Sequence, residues 1–130
     1  MSTSQDKKSP AADELKNDLK PIDFDRLAEL YGEGELHEIL ELFLPEARKL
    51  VDETEESVAN QNRRRLQDVA HQLKGLSASV AASELADLSL KLETAAKDED
   101  WAAAKQTHQA LARTFNQVAN FVQNVLTDRL

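Results

Sequence analysis

Few residues in this chain are able to do chemistry. Cysteine is absent, which excludes disulfides, thiolate metal sites and cysteine nucleophiles. Three histidines remain: His37, His71 and His108. Imidazole titrates near neutrality, and its unprotonated ring carries one free, nucleophilic nitrogen. What each histidine can do depends on which way its helix points it.

His108 falls on an apolar stripe and reads as a core-edge histidine hydrogen-bonded to a neighbour. His37 flanks another stripe beside Glu38 and Glu41 and reads as an ordinary surface residue. His71 differs. Around it, Leu66, Val69, Ala70, Leu73, Ser77 and Val80 recur at helical spacing. On a helix turning about 100° per residue, His71 lies roughly 160° from the mean direction of that stripe. The ring is therefore expected to face solvent, with Gln67, Asp68, Lys74, Gly75 and Ala78 as neighbours. A glycine inside a helix costs about 1 kcal/mol relative to alanine. Gly75 sits one turn after His71 on a face where the core gains nothing from a missing side chain. Lys74, at i+3, can reach an anion carried by the imidazole. A free imidazole nitrogen, a nearby cation and a cleared surface could hold phosphate on nitrogen. For that, the second ring nitrogen needs an acceptor that fixes the tautomer. Glu93 is a candidate: it and His71 are both about eleven residues from Ala82, so an antiparallel hairpin would set them side by side. The residues alone leave two readings open, this one and a surface histidine with an incidental glycine.

The elements that must position these groups are helices. Residues 1–20 are polar and punctuated by proline. They are expected to form a flexible arm, with a short helix over residues 11–19 after Ser9-Pro10. From residue 21 the pattern becomes that of a folded domain reaching residue 130. Asp23 is a candidate N-cap for a short helix with Phe24, Leu27, Leu30 and Tyr31 inward, which Gly32 and Gly34 then break. A second helix is predicted over residues 35–60, buried along Leu36, Ile39, Leu40, Phe43, Ala47, Leu50, Val51, Thr54 and Val58, with a bend near Leu44 caused by Pro45. A third spans residues 63–80. A fourth spans residues 83–97, with Leu85, Leu88, Leu92 and Ala96 inward. A fifth runs from an N-cap at Asp98 to about Thr127, along Trp101, Ala104, His108, Leu111, Ala112, Phe115, Val118, Ala119, Val122 and Leu126. The fold class is all-α: an antiparallel up-down-up-down four-helix bundle with a short preceding N-terminal helix.

Composition narrows the partners. The 130 residues carry 24 Asp plus Glu against 16 Lys plus Arg, a net charge of −8. Such a chain is a poor ligand for nucleic acid or an anionic membrane. With no membrane-span-length apolar run and no signal-peptide pattern, a cytoplasmic monomer is expected. Only three glycines are present, too few for the turns of a strand-rich fold.

The stretch Ala70-His71-Gln72-Leu73-Lys74-Gly75-Leu76-Ser77 resembles the signature of histidine-containing phosphotransfer (HPt) domains, roughly A-H-x-L-K-G-S-S. The likeness continues through Val80, Ala82, Leu85 and Leu88 to Leu92-Glu93. Upstream it takes in Ile22-Asp23, Leu27, Gly32, residues 40–43 and Leu66, so that it covers about residues 22–127. The resemblance implies a phosphorelay carrier: a phosphoryl group is accepted from a receiver-domain aspartate of a hybrid histidine kinase and passed to the receiver of a response regulator. It implies His71 as phosphoacceptor through Nε2, Lys74 as the phosphate-facing cation, Gly75 as room for the receiver's loops, and Glu93 as the acceptor for Nδ1. Arg64, Gln67, Asp68 and Ala78 are the expected partner-contacting residues. The run Arg63-Arg64-Arg65 is either a solvated helix start or a patch that steers an acidic receiver face. No cofactor of its own is implied; Mg²⁺ would come with the receiver. Two positions depart from the pattern. Ala81 stands where the family often has Gly, and Leu76 where it often has Ser; Leu76 either extends an apolar docking surface or simply packs. There is no Gly-rich nucleotide loop, so autonomous kinase activity is not expected. Two other classes fit the residues less well. A non-phosphorylated helical adaptor for receivers would be expected to have lost the histidine. A ferritin-like metal bundle needs inward Glu-x-x-His pairs, and Asp68-Val-Ala-His71 points outward.

Overall fold

The computed structural model describes residues 21–128. The arm and its expected helix over residues 11–19 lie outside them. Among the described residues there are five helices and no strands. They are α1 (Phe24–Tyr31), α2 (Glu33–Ala59), α3 (Arg63–Ser79), α4 (Ser83–Lys97) and α5 (Trp101–Asp128). Each long helix packs on the next and α5 closes back on α2, with α1 laid against α2. This is the up-down-up-down bundle that the periodicity predicts.

The core follows the stripes. Leu36, Leu40 and Phe43 of α2 are buried together with Leu66, Leu73, Leu85, Leu92, Leu111 and Val118 from the other three long helices. Burying each of these side chains is worth about 1.5–3 kcal/mol. The α3–α4 pair shares the most extensive contact. Its small buried residues, Ala70 and Ser77 on α3 with Ser89 and Ala96 on α4, allow close approach.

The three connections between long helices are built in the same way. Ala82 N–H donates to the Ser77 carbonyl at 2.9 Å and Ala81 N–H to Ala78 at 3.1 Å. Those are the two bonds of a Schellman motif, which closes a helix through one left-handed residue. Asn62 with Ser57, and Asp100 with Ala95, repeat the longer bond at the ends of α2 and α4. The left-handed residues are Gln61, Ala81 and Glu99, at φ +50°, +56° and +55°. None is glycine. The next helix starts at once: Asn62 Oδ1 accepts from Arg65 N–H and Asp100 Oδ1 from Ala103 N–H, both at 3.1 Å. Turns this short fix the register of neighbouring helices.

Several expectations need correction. The fifth helix is capped by Asp100, not Asp98, because Asp98 still belongs to the end of α4. Gly32 separates α1 from α2 at φ +79°, but Gly34 lies inside the first turn of α2 and breaks nothing. Leu30 and Tyr31 are exposed; only Leu27 of α1 is buried. α1 has just eight residues, and the chain before it contributes more: Ile22 is fully buried. Asp23 N–H is tied to the Ala81 carbonyl, and the Asp23 side chain caps α1 at Arg26 N–H. The second helix begins at Glu33 and passes through Pro45 unbroken. The carbonyl that Pro45 leaves without a donor belongs to exposed Glu41, where water can satisfy it.

His108 is the core-edge histidine the stripe predicts. Its Nδ1 lies 3.2 Å from Thr54 Oγ1, whose own hydrogen goes to the Val51 carbonyl at 2.6 Å. The hydroxyl has one proton to give, so Nδ1–H must be the donor to it. Burial holds the His108 pKa below its ordinary value, against the opposing pull of Glu55. His37 sits 3.8 Å from Glu41 on α2.

Two outcomes follow from these features. Gln61→Gly relieves a left-handed side chain on an exposed turn, at some cost in unfolded-state entropy. It is expected to stabilise the fold by up to about 1 kcal/mol in urea denaturation. His108 has a lowered folded-state pKa, so below neutrality the unfolded chain binds the extra proton. Its contribution is harmless above the ordinary value of 6.5 and becomes a penalty as pH falls through it. Comparing denaturation at pH 7.5 and 5.5, wild type should lose more stability than His108→Gln.

Candidate functional site

His71 projects from the middle of α3, and the α3–α4 turn sets what stands beside it. The turn occupies only residues 80–82, so α4 returns alongside α3 and brings Glu93 to the imidazole. Nδ1 of His71 lies 3.1 Å from Glu93 Oε2. The His71 side chain is 65% exposed and that of Glu93 only 21%. A carboxylate oxygen only accepts, so Nδ1 carries the hydrogen. In the unprotonated ring the lone pair is then on Nε2, which has no partner among the described residues. The bond orients the ring so that, in the unprotonated imidazole, the nucleophilic nitrogen is the one turned to solvent.

Lys74, one turn on, places Nζ 3.6 Å from the other oxygen, Oε1, of the same carboxylate. That oxygen is buried and makes no hydrogen bond, so the ammonium is its compensating charge. With its side chain 34% exposed, Lys74 in this state is directed at Glu93. Its flexible stem can redirect the charge to an anion on Nε2.

Gly75 sits on the exposed face of α3 directly after Lys74. A Cβ built on Gly75 would meet no atom of the chain within 4 Å. The bundle therefore has no steric need for glycine here. Ala78 and Asp68 share the exposed face, and Gln67 is half-buried at its edge. Of the basic run, Arg65 pairs with Glu53 at 3.1 Å and Arg63 reaches Glu99 at 4.0 Å. Arg64 is exposed and, among the described residues, has no ion-pair partner. It lies two turns from His71 on nearly the same face.

Leu42 is not singled out by the sequence reading. Leu42 of α2 is 75% exposed, the most open large apolar side chain of the described residues. With Ile39, Leu76 and Val80 it lines a shallow apolar groove between α2 and α3, ending one turn from Gly75. The available signal was the run Leu40-Glu41-Leu42-Phe43-Leu44, which has more apolar residues than one helix face can bury. Among the described residues no group of acidic or histidine side chains is arranged to hold a metal, and no helix is long and apolar enough to cross a membrane.

Because nothing in the fold uses the bare backbone at residue 75, Gly75→Ala should raise stability by about 1 kcal/mol in thermal or urea unfolding. A loss of stability would show that the glycine serves the bundle.

The geometry agrees with known proteins. A family model for the Hpt domain matches residues 38–125, a span that includes His71, Lys74, Gly75 and Glu93. A crystal structure described as that of a histidine-containing phosphotransfer protein from rice superposes with a TM-score of 0.72. It is 20% identical in sequence, and the match covers 97% of this chain and 96% of that one. No curated protein matches the sequence significantly. The chain belongs to the Hpt domain family, whose members act in phosphotransfer within two-component signalling and interact there with receiver domains.

Proposed function

We propose that this protein is a phosphorelay intermediate that carries a phosphoryl group on His71 Nε2 between two receiver domains. The observation that carries this reading is the hydrogen bond from His71 Nδ1 to Glu93, which leaves Nε2 free and open to solvent. The donor would be the receiver aspartyl phosphate of a hybrid histidine kinase, and the acceptor the receiver aspartate of a response regulator. The receivers bring the Mg²⁺, and this chain brings no cofactor. It acts as a carrier and not as a kinase.

The division of labour follows from what phosphoryl transfer requires. The reaction asks for in-line positioning and neutralisation of charge on the transferred group. His71 supplies the nucleophile and Lys74 the cation. Gly75 and Ala78 leave a low surface on which the receiver's loops can come close enough for an in-line approach. The groove of Leu42 and Leu76 supplies apolar contact at the edge of that surface, and Arg64 supplies an unpaired charge toward an acidic partner. Gln67 and Asp68 flank the imidazole at the rim of the contact. Residues 21–130 suffice for the transfer.

His71→Gln should leave the melting temperature unchanged and abolish labelling by a phosphorylated receiver. Undiminished labelling of this variant would refute the assignment. Gly75→Gln should cut the transfer rate by at least about tenfold without unfolding the bundle, because a long side chain then stands in the contact surface. A normal rate would remove the role given to Gly75.

A further inference from the structure

Glu93 is a carboxylate at a place where a neutral amide could also hold the ring. We infer that this carboxylate keeps phosphorylated His71 in its protonated, transfer-ready form, so that the phosphoryl group passes in and out without any proton moving. The inference rests on the assignment of His71 as phosphoacceptor and makes Glu93 a positioning residue that acts through the imidazole.

In the free protein Nδ1–H donates to Glu93 Oε2 and Nε2 holds the lone pair. When Nε2 attacks the phosphorus of an aspartyl phosphate, the Nε2–P bond forms and the bond from phosphorus to the aspartate oxygen breaks. Its electron pair leaves with the carboxylate. Both ring nitrogens now carry a substituent, and the ring is cationic. Losing the Nδ1 proton would discharge it, but the leaving group in onward transfer would then be an imidazolate anion, a poor one. The Glu93 carboxylate opposes that loss in two ways. It can only accept a hydrogen bond, and its negative charge favours the cationic ring. Attack by the next receiver's aspartate breaks Nε2–P and returns the pair to Nε2. Neutral imidazole remains, with the Nδ1 proton where it began. A glutamine at residue 93 could turn its amide N–H toward a bare Nδ1 and let the neutral, longer-lived form persist.

The surroundings sharpen the effect. Oε1 of Glu93 is buried without a hydrogen bond, so water does little to compensate the carboxylate. The charged group in contact with the ring is Glu93 from α4; Lys74 and Asp68 stand one turn away on its own helix, at i+3 and i−3. The other helix packed on α3 is α2. It brings no charged group into ion-pair distance of the imidazole, and its Glu53 is engaged by Arg65. Lys74 lies against Oε1 and therefore partly offsets the carboxylate.

The test is the lifetime of the phosphorylated chain. Purified protein is labelled with phosphoramidate, and loss of label is followed from pH 5 to pH 9 for wild type, Glu93→Gln and Lys74→Met. Wild type should lose phosphate about tenfold faster than Glu93→Gln at neutral pH, with the acid-lability profile of Glu93→Gln displaced downward by about one pH unit. Lys74→Met, which leaves the carboxylate less compensated, should displace the profile upward. Superimposable profiles for wild type and Glu93→Gln would overturn the inference while leaving His71 as the acceptor. If Glu93→Gln does not fold, an unmoved Lys74→Met profile overturns it instead. Equal labelling of wild type and His71→Gln would overturn the underlying assignment itself.

Discussion

The site depends on one hydrogen bond across two helices, from His71 Nδ1 to Glu93 Oε2. It decides which ring nitrogen is free, and its position decides where that nitrogen points. The bond exists because α3 and α4 return on each other through a three-residue turn, with Ala81 in the left-handed conformation and Ala82 bonded back to Ser77. A one-residue slip in that turn would rotate Glu93 by about 100° around α4 and take the carboxylate away from the ring. The bundle can thus be understood as a rigid holder for a single pair of side chains. The core residues on the opposite face of α3, Leu66, Val69, Ala70 and Leu73, keep the helix from rolling.

Gly75 shows the same site from the side of stability. The fold would be more stable with a side chain at this position, and nothing in the chain prevents one. A bundle that forgoes such stability beside its one open, oriented imidazole has a surface shaped for something outside itself. The exposed Leu42, placed along the groove toward α2, fits that surface. Arg64 fits it too, since its neighbours Arg63 and Arg65 spend their charge on Glu99 and Glu53.

Much of this was legible in the sequence because a long helix writes its buried face as a period. The stripe of α3 is buried at every position read from it, and α4 has the span the pattern gave. His71 could be turned outward and His108 inward by arithmetic alone. The misreadings arose where local signals compete. Asp98 and Asp100 are both good caps, and only the left-handed Glu99 between them decides which helix each serves. Leu30 and Tyr31 keep helical spacing, but α1 is too short to bury more than Leu27, and the apolar anchor is Ile22 in the chain before it. The approach of Lys74 to the second carboxylate oxygen was likewise beyond reach, since periodicity gives a face and not a rotamer.

The central claim is tested most directly by locating the phosphoryl group. Protein labelled with ¹⁵N in its histidine rings, phosphorylated by a cognate receiver and observed by nitrogen and phosphorus NMR, reports which ring and which nitrogen are modified. The account requires one phosphorus resonance coupled to Nε2 of His71, with a proton retained on Nδ1. Phosphorus on His37, on His108, on Nδ1 of His71 or on no histidine would contradict it.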